Sequence, residues 1–311
     1  MPRKVYRRVI PSVLVTGASG FFGKRLVERL RACGETVETH STRDGNLVER
    51  APAALGVKHV YHLAAKTFVP ASWRTPVEFY AVNILGTARV LEYCRCIGAS
   101  FTLVSSYLYG APIQLPISEE HPVAAFNPYG HSKLLAEEIT QYYHVTFGVP
   151  VTIVRPFNLY GPGQSEEFLV PTLIRQARSA DDGVISVEDL RPKRDYLYVD
   201  DAVDLLILLR RARARGIYNA GSGVSTSVRE LAEIIMEIVG TSKPILSRNR
   251  ARPNEVLDIV ADISKARADV GWFPRIALRT GLERTVGAYL IPASSADSQS
   301  ASVQGLSKQG I

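Results

Sequence analysis

The sequence predicts an α/β protein: a doubly wound parallel sheet covered by helices, followed by a smaller α/β lobe. Three observations carry this. Short aliphatic runs alternate with longer amphipathic segments through the first half of the chain, the pattern of strand–helix units whose strands are buried on both faces. The 311 residues and 46% hydrophobic content supply a core large enough for two lobes. Beyond residue 155 the pattern loosens, where Pro156, Pro162, Gly163 and Pro171 break it into shorter segments. Ordinary Gly and Pro usage argues against a fibrous or disordered chain, and no apolar run reaches the ~18 residues of a membrane-spanning helix.

Met1 to Arg8 includes Arg3, Lys4, Arg7 and Arg8, but the apolar stretch behind it is only Val13-Leu14-Val15 and runs straight into glycines. This reads as a solvated arm, since a signal peptide needs a longer apolar region and a cleavage site. Ser12 to Val15 is the first strand, followed by a glycine turn and a helix carrying Leu26, Val27 and Leu30. Thr36 to His40 is a second strand, and 57–65 a third, ending in His62-Leu63-Ala64-Ala65. A helix is expected over 76–97, a strand at Phe101 to Ser105, a loop to Pro128, a helix over 129–147 and a strand at Val151 to Val154. The expected division is a first domain at 9–155, a second lobe at 156–291 with segments returning to the first domain, and a disordered Ser-, Ala- and Gln-rich tail at 292–311.

The net charge of +7 is scattered, and the one dense cluster, Arg210, Arg211, Arg213 and Arg215, ends an apolar helix over 202–209, where cations favour the negative dipole end. The charge therefore suits an anionic, phosphorylated ligand better than nucleic acid. Three cysteines, Cys33, Cys94 and Cys96, form neither a disulfide framework nor a zinc pattern. They are expected to be buried, reduced thiols in a cytoplasmic protein with no bound metal.

Gly17-x-x-Gly20-x-x-Gly23 lies between the first strand and the first helix, spanning Gly17, Ser19, Gly20, Phe21, Phe22 and Gly23. Glycines there permit a tight turn and close backbone approach to a pyrophosphate, and the helix start offers free N–H groups and a positive dipole end. The motif predicts a bound dinucleotide. The tip of the second strand, His40-Ser41-Thr42-Arg43, carries no carboxylate, although Asp44 follows. An acid at that tip would bond a ribose 2′-hydroxyl. Ser41, Thr42 and Arg43 instead suit a 2′-phosphate, so NADP is expected, with NAD possible if Asp44 holds the ribose.

Tyr129 and Lys133 are four apart at the start of a helix and share one face. An ammonium beside a phenol stabilises the phenolate, so the tyrosine can act as acid or base. Ser105, 24 residues upstream, ends a strand, the place where open α/β sheets bind ligands.

Together these motifs resemble an extended short-chain dehydrogenase/reductase of the nucleotide-sugar epimerase, dehydratase and reductase group, from about Ser12 to Leu290. His62-Leu63-Ala64-Ala65, Asn83-x-x-Gly86-Thr87, Ser105-Ser106-Tyr107-Leu108-Tyr109-Gly110, Pro128-Tyr129-Gly130-x-Ser132-Lys133 and Arg155-Pro156-Phe157-Asn158-x-Tyr160-Gly161-Pro162-Gly163 match its landmarks in order. Arg194-Asp195-Tyr196-x-Tyr198-Val199-Asp200-Asp201 and Tyr218-Asn219-x-Gly221 match later ones. The resemblance implies a Rossmann-type domain and a role for each matching residue. Ser105 would hold the sugar oxygen, with Ser106 the lesser choice. Tyr129 would exchange the proton, and Lys133 would also grip the nicotinamide ribose. Leu63, Ala64, Ala65, Asn83 and Pro156 would line the cofactor. Asn158, Arg194 and Arg252 would meet the sugar nucleotide, both arginines at the diphosphate. Where relatives have Gly-Asp, Asn254-Glu255 follows Arg252. The helices of Leu91 and Leu135 match those that pair relatives into homodimers.

Dehydratases of this group carry an acidic pair after the catalytic hydroxyl, where this chain has Ser106 and Tyr107. Elimination of water would lack its acid/base. The serine strand also lacks the cysteine expected of epimerase-reductases. The expected reaction is reduction of a 4-keto (6-deoxy) sugar nucleotide by NADPH. The alternative is an NAD-dependent 4-epimerase, and a non-catalytic dinucleotide-binding sensor or scaffold is the third possibility.

Overall fold

The strand expected at Val13 to Val15 is β1 (Val13–Thr16), buried at all four positions inside a six-stranded sheet. The computed structural model describes residues 12–181, 183–250 and 256–290. The arm, the tail and Arg252 lie outside the described residues. After β1 come α1 (Phe21–Ala32), β2 (Val37–His40) and β3 (His59–His62). Two short helices, α2 (Val69–Ser72) and α3 (Pro76–Tyr80), lead through a π-helical turn (Ala81–Leu85) into α4 (Gly86–Ile97). The sheet continues with β4 (Ser100–Val104), the long helix α5 (Pro128–Phe147) and β5 (Val151–Pro156). Beyond it lie β6 (Asn158–Tyr160), α6 (Leu169–Arg178), β7 (Ile185–Val187), β8 (Lys193–Tyr198), α7 (Val199–Arg211) and β9 (Gly216–Ala220). The described chain closes with β10 (Ser225–Ser227), α8 (Val228–Val239), β11 (Ile245–Ser247), α9 (Ser264–Val270) and α10 (Leu278–Leu290).

The large sheet has the order β2-β1-β3-β4-β5-β9, with every neighbouring pair parallel. The chain winds outward from β1 to β2, then crosses back to place β3 on the other side. This reversal opens a crevice at the carboxyl ends of β1 and β3, the place where such sheets bind ligands. One core, with Leu26, Leu30, Leu205 and Leu206 at 0% exposure, packs α1 and α7 on one face. A second, with Val90, Leu91, Phe101 and Ile153, packs α4 and α5 on the other. Leu91 lies in this second core. The later segments build a three-stranded sheet, β10-β8-β6, and a pair, β11-β7, around a core containing Leu173, Ile174, Leu231 and Ile235.

Two expectations need correction. The helix expected over 76–97 is interrupted by the π-helical turn, which holds Asn83 at 1% exposure. Of the cysteines, only Cys94 is buried, while Cys33 and Cys96 are exposed; all three are free thiols. Among the described residues no helix is long and apolar enough to cross a membrane.

Candidate active site

Gly17 turns the chain out of β1 with φ +68°, a conformation glycine adopts without the penalty a Cβ would bring. The space is equally restrictive. A Cβ on Gly17 would lie 2.7 Å from the Ala64 amide, and one on Gly23 would lie 2.1 Å from the Gly17 carbonyl. The glycine turn and the loop Leu63 to Ala65 are thus pressed together at the sheet crevice. α1 opens with no side-chain cap from Gly20, which leaves its first N–H groups for a ligand. Ser19 and Gly20 are exposed beside it, and Phe21 and Phe22 are half-buried.

A buried relay supports this cradle from below. Thr16 Oγ1 meets His62 Nδ1 at 2.7 Å and accepts from the Ala64 amide at 3.3 Å. His62 Nε2 meets Thr87 Oγ1 at 3.0 Å, and the Thr87 hydroxyl donates to the Asn83 carbonyl at 2.6 Å. Because the Thr87 proton is used there, His62 donates from Nε2 and accepts at Nδ1, a tautomer assigned from the network. Burial holds the His62 pKa down at about 3. Asn83, expected to touch the cofactor, is 1% exposed with its side chain engaged by the protein. Its amide accepts from the Lys66 amide at 2.8 Å and donates to the Lys66 carbonyl at 3.0 Å and to Ser132 Oγ at 2.8 Å. It ties the loop after β3 to α5.

Beyond β2, the Asp44 carboxylate accepts from both the amide and the hydroxyl of Ser41, each at 2.8 Å. These two bonds hold the Asp44 pKa below the usual carboxylate range. His40 is buried and its Nε2 meets the Gly45 carbonyl at 3.0 Å, so it shapes the turn. Thr42 and Arg43 are exposed.

The start of α5 is set by Asn127, whose side chain accepts from the Gly130 amide at 2.8 Å, and by Pro128 in the first turn. This fixes Tyr129 and Lys133 against the end of β4. Lys133 is 3% exposed and Nζ donates to the Val104 carbonyl at 2.6 Å. Burial pulls its pKa down to about 8 against the opposing charge of Glu137. Tyr129 packs edge-on to Phe79, 6.4 Å between centroids. Its phenol is pushed up to about 12 by burial, with a hydrogen bond to Ser106 acting against the shift and Tyr107 adding to it. Lys133, one helical turn past Tyr129, is thus anchored on a backbone carbonyl of β4. Ser105 is 4% exposed and its Oγ has no hydrogen-bond partner among the described residues.

Past β5, Pro156 is buried and Asn158 Nδ2 donates to the Asp195 carbonyl at 3.2 Å. Asn158 stands opposite Tyr196 in the β6–β8 pairing. Arg194 Nη1 donates to the Lys193 and Val256 carbonyls, both at 2.8 Å. Sequence reasoning missed the buried ion pair of Arg155 with Glu137, 2.6 Å apart. It also missed the contact of Arg155 with Tyr109 at 3.1 Å and of Tyr109 with Asn219 at 2.7 Å. Glu137 lies one helical turn past Lys133, a spacing that could have flagged it.

Residues 35–285 match the family model described as GDP-mannose 4,6 dehydratase. The chain belongs to that family. Its members here are extended short-chain dehydrogenases/reductases of the nucleotide-sugar group, on the parallel α/β fold expected. One curated relative is the GDP-6-deoxy-D-mannose reductase of Pseudomonas aeruginosa, 32% identical over 293 residues, covering 87% of this chain and 94% of the relative. Another is the UDP-glucose 4-epimerase of Mycolicibacterium smegmatis, 31% identical over 304 residues, covering 88% and 96%. The solved structure of RMD from Pseudomonas aeruginosa complexed with NADPH superposes with a TM-score of 0.82 at 28% identity, covering 90% of this chain and 98% of that one. Within this GDP-mannose 4,6-dehydratase family the chain has Ser106 and Tyr107 after Ser105, with no carboxylate at either.

Proposed function

We propose that this protein reduces the 4-keto group of a (6-deoxy) sugar nucleotide with NADPH. The observation that carries the reading is the tip of β2. The Asp44 carboxylate is bound by Ser41, while Arg43 stands exposed with no ion pair among the described residues. Such a tip suits a ribose 2′-phosphate better than a 2′-hydroxyl. The reductase relative and the NADPH complex of RMD support the same choice.

The residues fit the cofactor. The Gly17–Gly23 cradle, too tight for any Cβ at Gly17 or Gly23, would hold the pyrophosphate, and Ser41, Thr42 and Arg43 the adenosine ribose and its phosphate. Leu63, Ala64, Ala65 and Pro156 would line the remainder, with Lys133 at the nicotinamide ribose. When bound, the reduced nicotinamide supplies hydride to the carbonyl carbon. Ser105 Oγ, buried without a partner, receives the carbonyl oxygen as a donor, the role of an oxyanion-stabilising hydroxyl. Tyr129 gives its proton to that oxygen. A phenol held at about 12 by burial is fully protonated at neutral pH, the form a reductive step needs. The Lys133 ammonium, fixed on the Val104 carbonyl, adds positive charge behind the site. Asn158, Arg194 and Arg252 would carry the sugar and diphosphate.

The test is NADPH oxidation on adding GDP-4-keto-6-deoxymannose, with one new C4 hydroxyl formed per NADPH consumed. Purified protein that retains NAD and interconverts C4 epimers with no net oxidation would overturn the reductase reading in favour of the 4-epimerase, to which one relative points. A division at residues 155 and 156, with β9 returning to the first domain's sheet, belongs to the same proposal; the sheets β10-β8-β6 and β11-β7, built wholly from later residues, support it. We also infer a cytoplasmic homodimer. On the outer face of α5, Tyr142, Val145 and Phe147 are 59%, 82% and 47% exposed, an apolar strip that a second copy would cover. Light scattering at the monomer mass would exclude it.

A further inference from the structure

Lys133 presents a charge problem that its anchor does not solve. The side chain is buried, and Nζ donates to the neutral Val104 carbonyl at 2.6 Å. An ammonium in a protein core is costly unless a negative charge stands near it. Glu137 follows one helical turn later on α5, a spacing that sets the two Cβ atoms about 5–6 Å apart on one face, and it too is buried. The sheet beneath α5 brings their anchors together as well. Val104, which holds Lys133, pairs with Val154 in the β4–β5 ladder. Arg155, which holds Glu137, is the next residue along β5, and adjacent strands lie about 4.8 Å apart.

The carboxylate cannot swing away. Arg155 Nε donates to Oε1 at 3.0 Å and Nη2 to Oε2 at 2.6 Å. Arg155 is itself buried, with Nη1 donating to the Tyr109 hydroxyl at 3.1 Å and the guanidinium 5.0 Å from the centre of the Tyr109 ring. Other charged groups around α5 are engaged elsewhere. His62 on β3 is neutral through burial. Glu78 on α3 is paired with Lys66, and Glu92 on α4 with Arg95, all four partly exposed. Glu119, in the loop after β4, accepts from the Asn219 amide at 2.8 Å. β4, α2 and the π-helical turn carry no charged side chain. Burial lowers the Lys133 pKa, and Glu137 acts against it.

We propose that Glu137 is a positioning residue: clamped by Arg155, its carboxylate supplies the negative charge that keeps Lys133 an ammonium beneath the nicotinamide ribose. The inference rests on the reading of Lys133 as a cofactor contact and deepens it. Glu137 acts through Lys133 and is not itself a contact for cofactor or sugar. Arg155 has two effects on this arrangement. It holds the carboxylate in place, and its own positive charge offsets part of the attraction that Lys133 feels. Removing one partner or the other therefore moves the Lys133 titration in opposite directions, whereas a merely structural ion pair would leave it where it is.

The variants Glu137→Gln and Arg155→Gln each delete one charge and keep a planar polar group in the network. Lys133 is followed directly by NMR of the full chain labelled with ε-13C lysine, its signal assigned by its loss in Lys133→Met. Wild type and both variants are titrated across the neutral and alkaline range, and NADPH affinity is measured by fluorescence at each pH. Glu137→Gln should lower the Lys133 midpoint by roughly 1–2 pH units, and Arg155→Gln should raise it. NADPH affinity should weaken as pH rises through the midpoint that each protein shows. Either variant decides the matter in its own direction, so a failure of one to fold leaves the other. In a folded variant, a midpoint that stays in place or moves the opposite way overturns the role of Glu137 and leaves the cofactor reading standing. Midpoints that move as predicted while NADPH affinity follows none of them overturn the placement of Lys133 at the ribose, on which the inference rests.

Discussion

Replacing Gly17 with alanine should loosen the dinucleotide cradle while leaving the protein folded. The residue sits at φ +68°, and a non-glycine residue there costs about 1–2 kcal/mol. The new Cβ would lie 2.7 Å from the Ala64 amide nitrogen, 2.8 Å from the Leu63 carbonyl carbon and 2.9 Å from the Ala64 Cα. Ordinary contact is about 3.5 Å, so the two loops must part by roughly 0.5–1 Å, and all three obstructing atoms are backbone. The unfolding free energy should fall by about 2–3 kcal/mol, and NADPH affinity by tenfold or more, since ligand contacts here depend on close backbone approach. Gly34 supplies the control. Its φ is +79°, and an added Cβ meets nothing within 4 Å, so Gly34→Ala should show the conformational cost alone and normal NADPH binding. Urea unfolding and fluorescence titration of NADPH measure both quantities. If Gly17→Ala binds NADPH within twofold of Gly34→Ala, the cradle is wrongly assigned.

Two further predictions follow from the buried groups. Tyr129→Phe should fold and bind cofactor normally but lose ~10²–10⁴-fold in turnover; steady-state rates within threefold of wild type would reject Tyr129 as the proton donor. His59 and His62 are held neutral by burial, each with its pKa lowered to about 3, whereas an unfolded histidine takes up a proton near 6.5. The unfolded chain then binds more protons below pH 6.5, and stability falls as pH drops through that point. Between pH 7.5 and 5.5 the loss should be about 1.4 kcal/mol per histidine, and chemical denaturation at the two pH values should show a smaller loss for His62→Gln than for wild type.

Much of the sheet could be read from local pattern. β1, β2, β4 and β5 are short aliphatic or β-branched runs bounded by turn residues, and the glycine spacing and the Tyr129/Lys133 interval lie within single loops or helical turns. The remainder depends on contacts between distant segments. Arg155 and Glu137 are 18 residues apart and meet only because β5 packs under α5, so the helical spacing from Lys133 marks Glu137 but not its partner. The Thr16–His62–Thr87 relay joins β1, β3 and α4, and its function of bracing the loop at Ala64 appears only once those elements stand side by side. Asn83 reads as a cofactor residue from its motif, whereas its place in a π-helical turn and its bonds to Lys66 and Ser132 depend on distant segments. Lys133 is legible as part of the site, but its hydrogen bond to the Val104 carbonyl depends on how deeply α5 packs against the end of β4.

Cofactor preference tests the central claim, an NADPH-dependent reductase, most directly. Arg43 is exposed at the β2 tip and Asp44 is bound to Ser41. A charge-assisted contact from Arg43 to a 2′-phosphate contributes on the order of 1.5–3 kcal/mol, a roughly 10- to 150-fold preference. Titrating NADPH and NADH against wild type and Arg43→Ala should show that preference in wild type and its near loss in the variant, with NADH affinity barely changed. Wild-type protein that prefers NADH, together with an Arg43→Ala variant indistinguishable from it, would mean that Asp44 holds the ribose, and would contradict the reductase account.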